Sequence, residues 1–270
     1  MNYKIFQICF DPKQLHDVDL LLTPFDNTSN ERPELREFHS FEKILDEGHA
    51  NNLDAWGVFG PRWKEKMRFD ALEMHTAIEN NPDNDVYIFN HARVVNSLTH
   101  NVWEQGEFWH KGIKHVTKVA LESCGYDSNV LNLPDVETTC YCSYFVATKE
   151  FWNDYIKFLR EMKTALENLT GEESEIYKGS ANYARDSNLN LFPFIVERLF
   201  TTFLHLKQYK VYSHNPNYEL YRKNVGDFVS VLTSLYELKK VSQYDENMFN
   251  IWNSIRTFFL KTQPQLMSLD

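Results

Sequence analysis

At 270 residues the chain is long for one domain and short for two, and its 43% hydrophobic content is ample for a sizeable core. Asp and Glu number 38 against 28 Lys and Arg, a net charge of -10. That balance argues against nonspecific nucleic-acid binding, which needs a basic face, while leaving room for a small phosphate ligand held by a few local cations.

The first strand is predicted over Tyr3 to Phe10 and is closed by Asp11-Pro12; this apolar run is too short for a signal peptide. Asp17 to Pro33 reads as a long polar connection, of the kind that often carries function. Glu34 to Asp46 has helical spacing, with Leu35, Phe38, Phe41, Ile44 and Leu45 on one face. A second strand, Asp54 to Phe59, ends at Gly60-Pro61. Asp70 caps a helix running to Glu79, with Leu72, His75 and Ile78 directed inward. Val86 to Phe89 is a short buried strand ending at Asn90-His91, and ligands of open α/β sheets gather outside such carboxyl ends. Asp83 and Asp85 lie at the entrance of that strand, where they read as a solvated turn after Pro82.

A helix follows over Asn101 to Cys124, with Gly112 as its break. Next come a strand over Thr138 to Ala147, Thr148 as N-cap, and a helix over Lys149 to Asn168. Gly171 to Asn190 is polar and acidic and is expected to be a loop. An apolar helix over Pro193 to Leu206 carries Glu197 and Arg198. Lys210 to Ser213 is a final strand, followed by amphipathic helices over Val225 to Lys240 and Asn247 to Lys261. Alternating strands and helices predict an α/β class. The expected division is a domain over 1–214 and a helical extension over 215–270 packed on it. No segment reaches the roughly 20 apolar residues of a membrane span. Cys9, Cys124, Cys140 and Cys142 are expected to be reduced structural thiols of a cytoplasmic protein.

Several segments, taken in order, resemble glycosyltransferases of bacterial capsule, O-antigen and lipooligosaccharide assembly. They are Lys4-Ile5-Phe6-Gln7-Ile8 with Phe25-Asp26-Asn27-Thr28 and Arg32-Pro33-Glu34-Leu35-Arg36-Glu37; Asn101-Val102-Trp103-Glu104-Gln105-Gly106-Glu107; Cys142 through Trp152, then Tyr155; and Phe194-Ile195-Val196-Glu197-Arg198-Leu199-Phe200. The resemblance covers roughly residues 3 to 214. It implies a GT-A-like, Rossmann-type mixed sheet flanked by helices, and transfer of a hexose from a nucleotide sugar, UDP-linked by preference, to a glycan hydroxyl in surface polysaccharide synthesis. The chain departs from that pattern in lacking Asp-x-Asp after the central strand. A noncatalytic glycan- or partner-binding module retaining the fold is the alternative.

That chemistry assigns expected roles. Gln7, Asp26, Asn27 and Thr28 would meet the base and ribose, although Asp26-Asn27-Thr28 also reads as an Asx-turn. Arg32, Arg36, Asn90 and His91 would meet the diphosphate, the arginines through planar forks that match phosphate oxygens; the other reading of Arg32, Glu34, Arg36 and Glu37 is surface ion pairing. His91 is the metal candidate, with metal dependence expected to be weak or absent and Mn2+ or Mg2+ the ions that would serve. Glu104, Glu107 and Glu197 are the candidate catalytic bases, with Gly106 leaving room for a substrate. Trp103, Trp109 and His110 are candidates for stacking on an acceptor sugar, and Asn182, Tyr183, Arg185 and Asp186 for a closing segment. The expected partners are a nucleotide-sugar donor and a glycan acceptor; peripheral membrane contact and a homodimer are also compatible with the sequence.

Overall fold

The computed structural model describes residues 1–67, 69–89, 92–179, 189–214 and 221–268, apart from the side chains of 224 and 268. Six strands form one mixed sheet: β1 (Tyr3–Cys9), β2 (Thr23–Asp26), β3 (Ala55–Phe59), β4 (Val86–Phe89), β5 (Phe145–Thr148) and β6 (Val211–His214), in the order β2-β1-β3-β5-β4-β6. β1 runs parallel to β2 and β3, and β4 runs parallel to β6. β5 lies antiparallel between β3 and β4. The carboxyl ends of the five like-directed strands and the amino end of β5 therefore share one edge.

The helices are α1 (Glu37–Asp46), α2 (Trp63–Lys66), α3 (Ala71–Asn80), α4 (Arg93–Leu98), α5 (Val102–Trp109), α6 (Ile113–Ser123), α7 (Lys149–Glu167), α8 (Gly171–Lys178), α9 (Phe192–Leu206), α10 (Arg222–Val225), α11 (Phe228–Ser242) and α12 (Glu246–Thr262). Alternation along the strands sends side chains to two faces. Phe6, Ile8, Trp56, Val58, Val86, Ile88 and Phe145 face the larger core, with residues of α1, α4–α7, α9, α11 and α12. Ile5, Ala55, Phe59, Tyr87, Phe89 and Val146 face a smaller core closed by α2 and α3. The larger core is rich in aromatics. The Trp152 ring stacks on Trp56 at 3.9 Å between centroids, and its indole N–H donates to the Trp56 carbonyl at 2.6 Å.

Caps locate several helix starts. Asp70 accepts the Glu73 N–H at 2.9 Å, Thr148 accepts that of Phe151, and Asn101 accepts those of Trp103 and Glu104. Gly112 takes φ +86 between α5 and α6, which makes the expected break. The C-terminal helices join the larger core: the Trp252 indole N–H donates to the Ser97 carbonyl at 3.1 Å, and Arg256 pairs with Glu104 at 2.8 Å.

Five expectations are corrected. The polar connection contains β2, an edge strand whose buried side chain is Phe25. The helix expected from Glu34 is a short 3-10 turn, Pro33–Leu35, and then α1, separated by Arg36 at φ +51. The strand expected from Thr138 starts at Phe145, because Cys142 and Ser143 take φ +57 and +56. Leu72 points to solvent at 63% exposure. Part of the expected 171–190 loop is α8. No helix among the described residues is long and apolar enough to cross a membrane.

Candidate functional site

At the carboxyl ends of β1 and β3 lies a cleft of about 380 Å³. Its floor and walls come from the residues that follow those strands: Phe10 after β1, and Gly60, Pro61 and Arg62 after β3. Arg36 and Glu37 enter from the start of α1, Lys66 from the end of α2, Cys142 to Tyr144 from the turn before β5, and Phe194 and Glu197 from α9. Three cationic side chains thus share the cleft with two carboxylates.

Local structure explains how these groups are held. The 3-10 turn after Pro33 cannot continue through Arg36, so the chain turns and presents Arg36 and Glu37 together at the start of α1. A Cβ added at Gly60 would lie 3.6 Å from Glu37 Oε1, which sets that carboxyl over the end of β3. Glu197 Oε1 accepts the Cys142 backbone N–H at 2.6 Å, while its Oε2 lies 3.5 Å from the Arg198 guanidinium. Cys142 and Ser143 are non-glycine residues in the left-handed region, and such conformations concentrate at functional sites. Lys66 Nζ lies 2.7 Å from Cys142 Sγ.

The charges perturb one another. Burial raises the Glu37 carboxyl above its ordinary pKa, and the neighbouring Glu197 carboxylate raises it further. Burial, then Glu197, pushes the Cys142 thiol up, and burial does the same to Tyr144. For Lys66, burial acts downward, but Cys142 and Glu197 outweigh it and the ammonium pKa is raised. The Glu37 shift suits a proton acceptor that exchanges at a pH above the usual carboxylate range.

The expected site residues divide. Arg36 and Glu197 line the cleft. Gln7 is buried and does not line it; its side-chain oxygen accepts the Trp63 indole N–H at 2.8 Å. Asp26 accepts both the N–H and the hydroxyl of Thr28, so the Asx-turn is the arrangement formed. Asn27 is only 1% exposed and donates its N–H to the Cys9 carbonyl; its side chain presents no edge to a base. Arg32 pairs with Glu34 in solvent. Glu104 accepts the His100 N–H and pairs with Arg256, while Glu107 accepts the N–H groups of Gly112 and Lys114 at the start of α6. Neither glutamate lines the cleft. Gly106 accommodates Arg198 rather than a substrate: a Cβ there would lie 2.5 Å from the guanidinium Nε. Asp85 accepts the Lys210 N–H, a structural role.

Among the stacking candidates, Trp103 is buried with its indole N–H on Thr202, and His110 packs on Phe194 at 4.0 Å between centroids. Burial, then the Arg198 charge, brings the His110 pKa down to about 4. Trp109 is exposed. Asn90 and His91, like Asn182, Tyr183, Arg185 and Asp186, lie outside the described residues.

Reading from the sequence missed Glu37, Arg62 and Lys66. The available signal was Gly60-Pro61-Arg62, which follows a buried strand as Asn90-His91 does. Among the described residues, no group of three or more His, Cys, Asp or Glu side chains could hold a metal ion. Around Glu37 and Glu197 the other charged partners are cations, so the described part of the cleft does not fit a divalent metal.

Two other hollows are less suited to a ligand. One of about 730 Å³ lies along α6, α7 and α8, and its Arg160 is taken by Glu42 and Asp46. One of about 410 Å³ is lined by Glu107, Lys114, His115 and Asn132, with Glu107 and Lys114 already engaged in local bonds. Comparison with protein-family models, curated proteins and solved structures finds no match for this chain.

Proposed function

We propose that the chain is a GT-A-like glycosyltransferase that moves a hexose from a nucleotide sugar, UDP-linked by preference, to a glycan hydroxyl during surface polysaccharide synthesis in the cytosol. The observation that carries this reading is the meeting of Arg36, Arg62 and Lys66 with Glu37 and Glu197 at the carboxyl ends of β1 and β3. It is supported by the mixed sheet with helices on both faces, and by the rule that ligands of open α/β sheets bind at carboxyl strand ends.

In this reading the donor diphosphate lies against Arg36, Arg62 and Lys66. Charge on the departing diphosphate grows toward the transition state, and each well-placed cation is worth on the order of two to three decades in rate. Glu37 accepts the proton of the acceptor hydroxyl. Glu197 holds the Cys142–Ser143 turn that forms one wall. Phe10 and Phe194 offer apolar faces for the base or a sugar ring.

Thermal unfolding with UDP, GDP and CMP, each with and without Mn2+, tests the donor. UDP at about 100 times its dissociation constant should add about 2.7 kcal/mol of stability. A chain that no nucleotide stabilises, and that releases no nucleotide from any candidate donor, is instead a noncatalytic binding module.

A further inference from the structure

The Lys66–Cys142 contact has chemistry that donor binding does not use. The separation of 2.7 Å equals a short N–H···O bond, although sulfur is the larger atom. The thiols of the other three cysteines make far longer contacts among the described residues: Cys9 to the Gln7 carbonyl at 3.6 Å, Cys124 to that of Glu161 at 3.8 Å, and Cys140 to that of Tyr141 at 3.8 Å. Lys66 and Cys142 both line the open cleft, so a small oxidant reaches them. They come from separate parts of the chain, α2 and the turn before β5. The turn is fixed by the Glu197 bond to the Cys142 N–H. The gap between sulfur and nitrogen matches the span of one inserted oxygen atom.

We propose that hydrogen peroxide converts this contact into a covalent S–O–N bridge between Cys142 and Lys66, a reversible modification of the cleft. The Cys142 thiolate attacks peroxide, the O–O bond breaks, and a sulfenic acid and water result. A second peroxide then takes two electrons as the sulfenic oxygen bonds to the Lys66 nitrogen. One O–H and one N–H bond are lost, and two more waters leave. Thiol, amine and two peroxides thus give the bridge and three waters. Two equivalents of a dithiol reverse the reaction: together they give up four electrons, closing to two cyclic disulfides, and the bridge returns to thiol and amine with release of one water. Lys66 eases the first step only in part: its charge favours the thiolate, but burial and the Glu197 and Glu37 charges outweigh it and hold the thiol above its ordinary pKa, so the reaction should quicken as pH rises. In the bridge the nitrogen is no longer an ammonium, so the cleft loses one positive charge.

The test is mass spectrometry of the full chain, reduced and then exposed to hydrogen peroxide. The expected intact mass rises by one oxygen less two hydrogens. Digestion yields one linked peptide joining the segment of Lys66 to that of Cys142, and dithiothreitol releases it. Lys66→Arg, Lys66→Gln and Cys142→Ser each abolish the linked peptide. Three results overturn the proposal: an unreactive thiol, a stepwise gain of whole oxygens without a linked peptide, and a linked peptide that survives in both Lys66 variants. The bridge stands independently of the donor reading. If it forms and UDP affinity falls tenfold or more until dithiothreitol restores it, both are supported. If it forms and UDP never binds, the bridge is supported and the donor reading fails.

Discussion

Glu197 Oε1 and the backbone N–H of Cys142 are 2.6 Å apart, and this bond ties α9 to a turn in which Cys142 and Ser143 both have positive φ. A carboxylate that fills a structural bond inside a charged cleft can be separated into its two roles by substitution. Glu197→Gln keeps an oxygen acceptor and loses the charge, so it should cost less than about 1 kcal/mol of stability; Glu197→Ala leaves the amide without its partner and should cost about 1–3 kcal/mol. Urea midpoints compare the two. Equal losses in both variants would show that the charge rather than the bond holds the turn.

Gly106 and Arg198 give a sharper case. A Cβ at Gly106 would meet Arg198 Nε at 2.5 Å and Cδ at 3.0 Å. Arg198 is 2% exposed and donates to the carbonyls of Val102 at 3.0 Å and Phe194 at 2.7 Å, and to Gln105 Oε1. It cannot step aside without breaking charge-assisted bonds worth about 1.5–3 kcal/mol each. The helix propensity gained by Gly106→Ala is only about 1 kcal/mol. The clash wins, and the variant should lose about 2 kcal/mol net, read as a lower urea midpoint at unchanged m. A stabilised variant would show that Arg198 has room to move.

These two cases also mark what the sequence makes legible. Elements with strong local signals follow from it: Asp70 and Thr148 cap helices, Gly112 breaks one, and the runs at Tyr3, Ala55 and Val86 form strands. β2 is hidden because an edge strand needs only Phe25 inside, and one apolar residue has no period. α4 is too short to display one. Cys140-Tyr141-Cys142 alternates like a strand, yet Cys142 and Ser143 turn left-handed because long-range bonding from Glu197 holds them. The strand-end rule points to the right edge of the sheet. Among the described residues the cleft forms after β1 and β3, where Glu37, which looks like one charge in a surface cluster, is turned inward by the bend at Arg36.

Lys239 gives stability a pH dependence. It is 1% exposed and donates to the Asn96 carbonyl at 2.8 Å and to Asn96 Oδ1 at 2.7 Å. Burial lowers its pKa from 10.5 to about 7, with Asp135 and Glu104 opposing and Arg256 adding to the shift. Above 10.5 the amine is neutral in both states. As pH falls from 10.5 to 7 the unfolded chain takes up the proton first, so this contribution to stability is lost across that window and is constant below it. Lys239→Met removes the effect. Between pH 7 and 9 wild type should therefore gain on the order of a few kcal/mol relative to the variant. Parallel stability curves would mean that water or movement solvates the amine.

The cleft cations and Glu37 separate binding from proton transfer. Arg36→Ala and Lys66→Met each remove a positive charge from the proposed diphosphate position, and each should weaken UDP binding about tenfold or more, since charge-assisted bonds are worth about 1.5–3 kcal/mol. Isothermal titration measures this. Glu37→Gln removes the proton acceptor but no cation, so UDP binding should survive while turnover falls by about 10²–10⁴. Glu37 works as the base in its ionised form, and burial with Glu197 raises its pKa. Wild-type kcat/KM should therefore rise with pH through a limb lying above the ordinary carboxylate range, and Glu37→Gln should lack that limb. An unchanged limb in Glu37→Gln would assign the proton to another group.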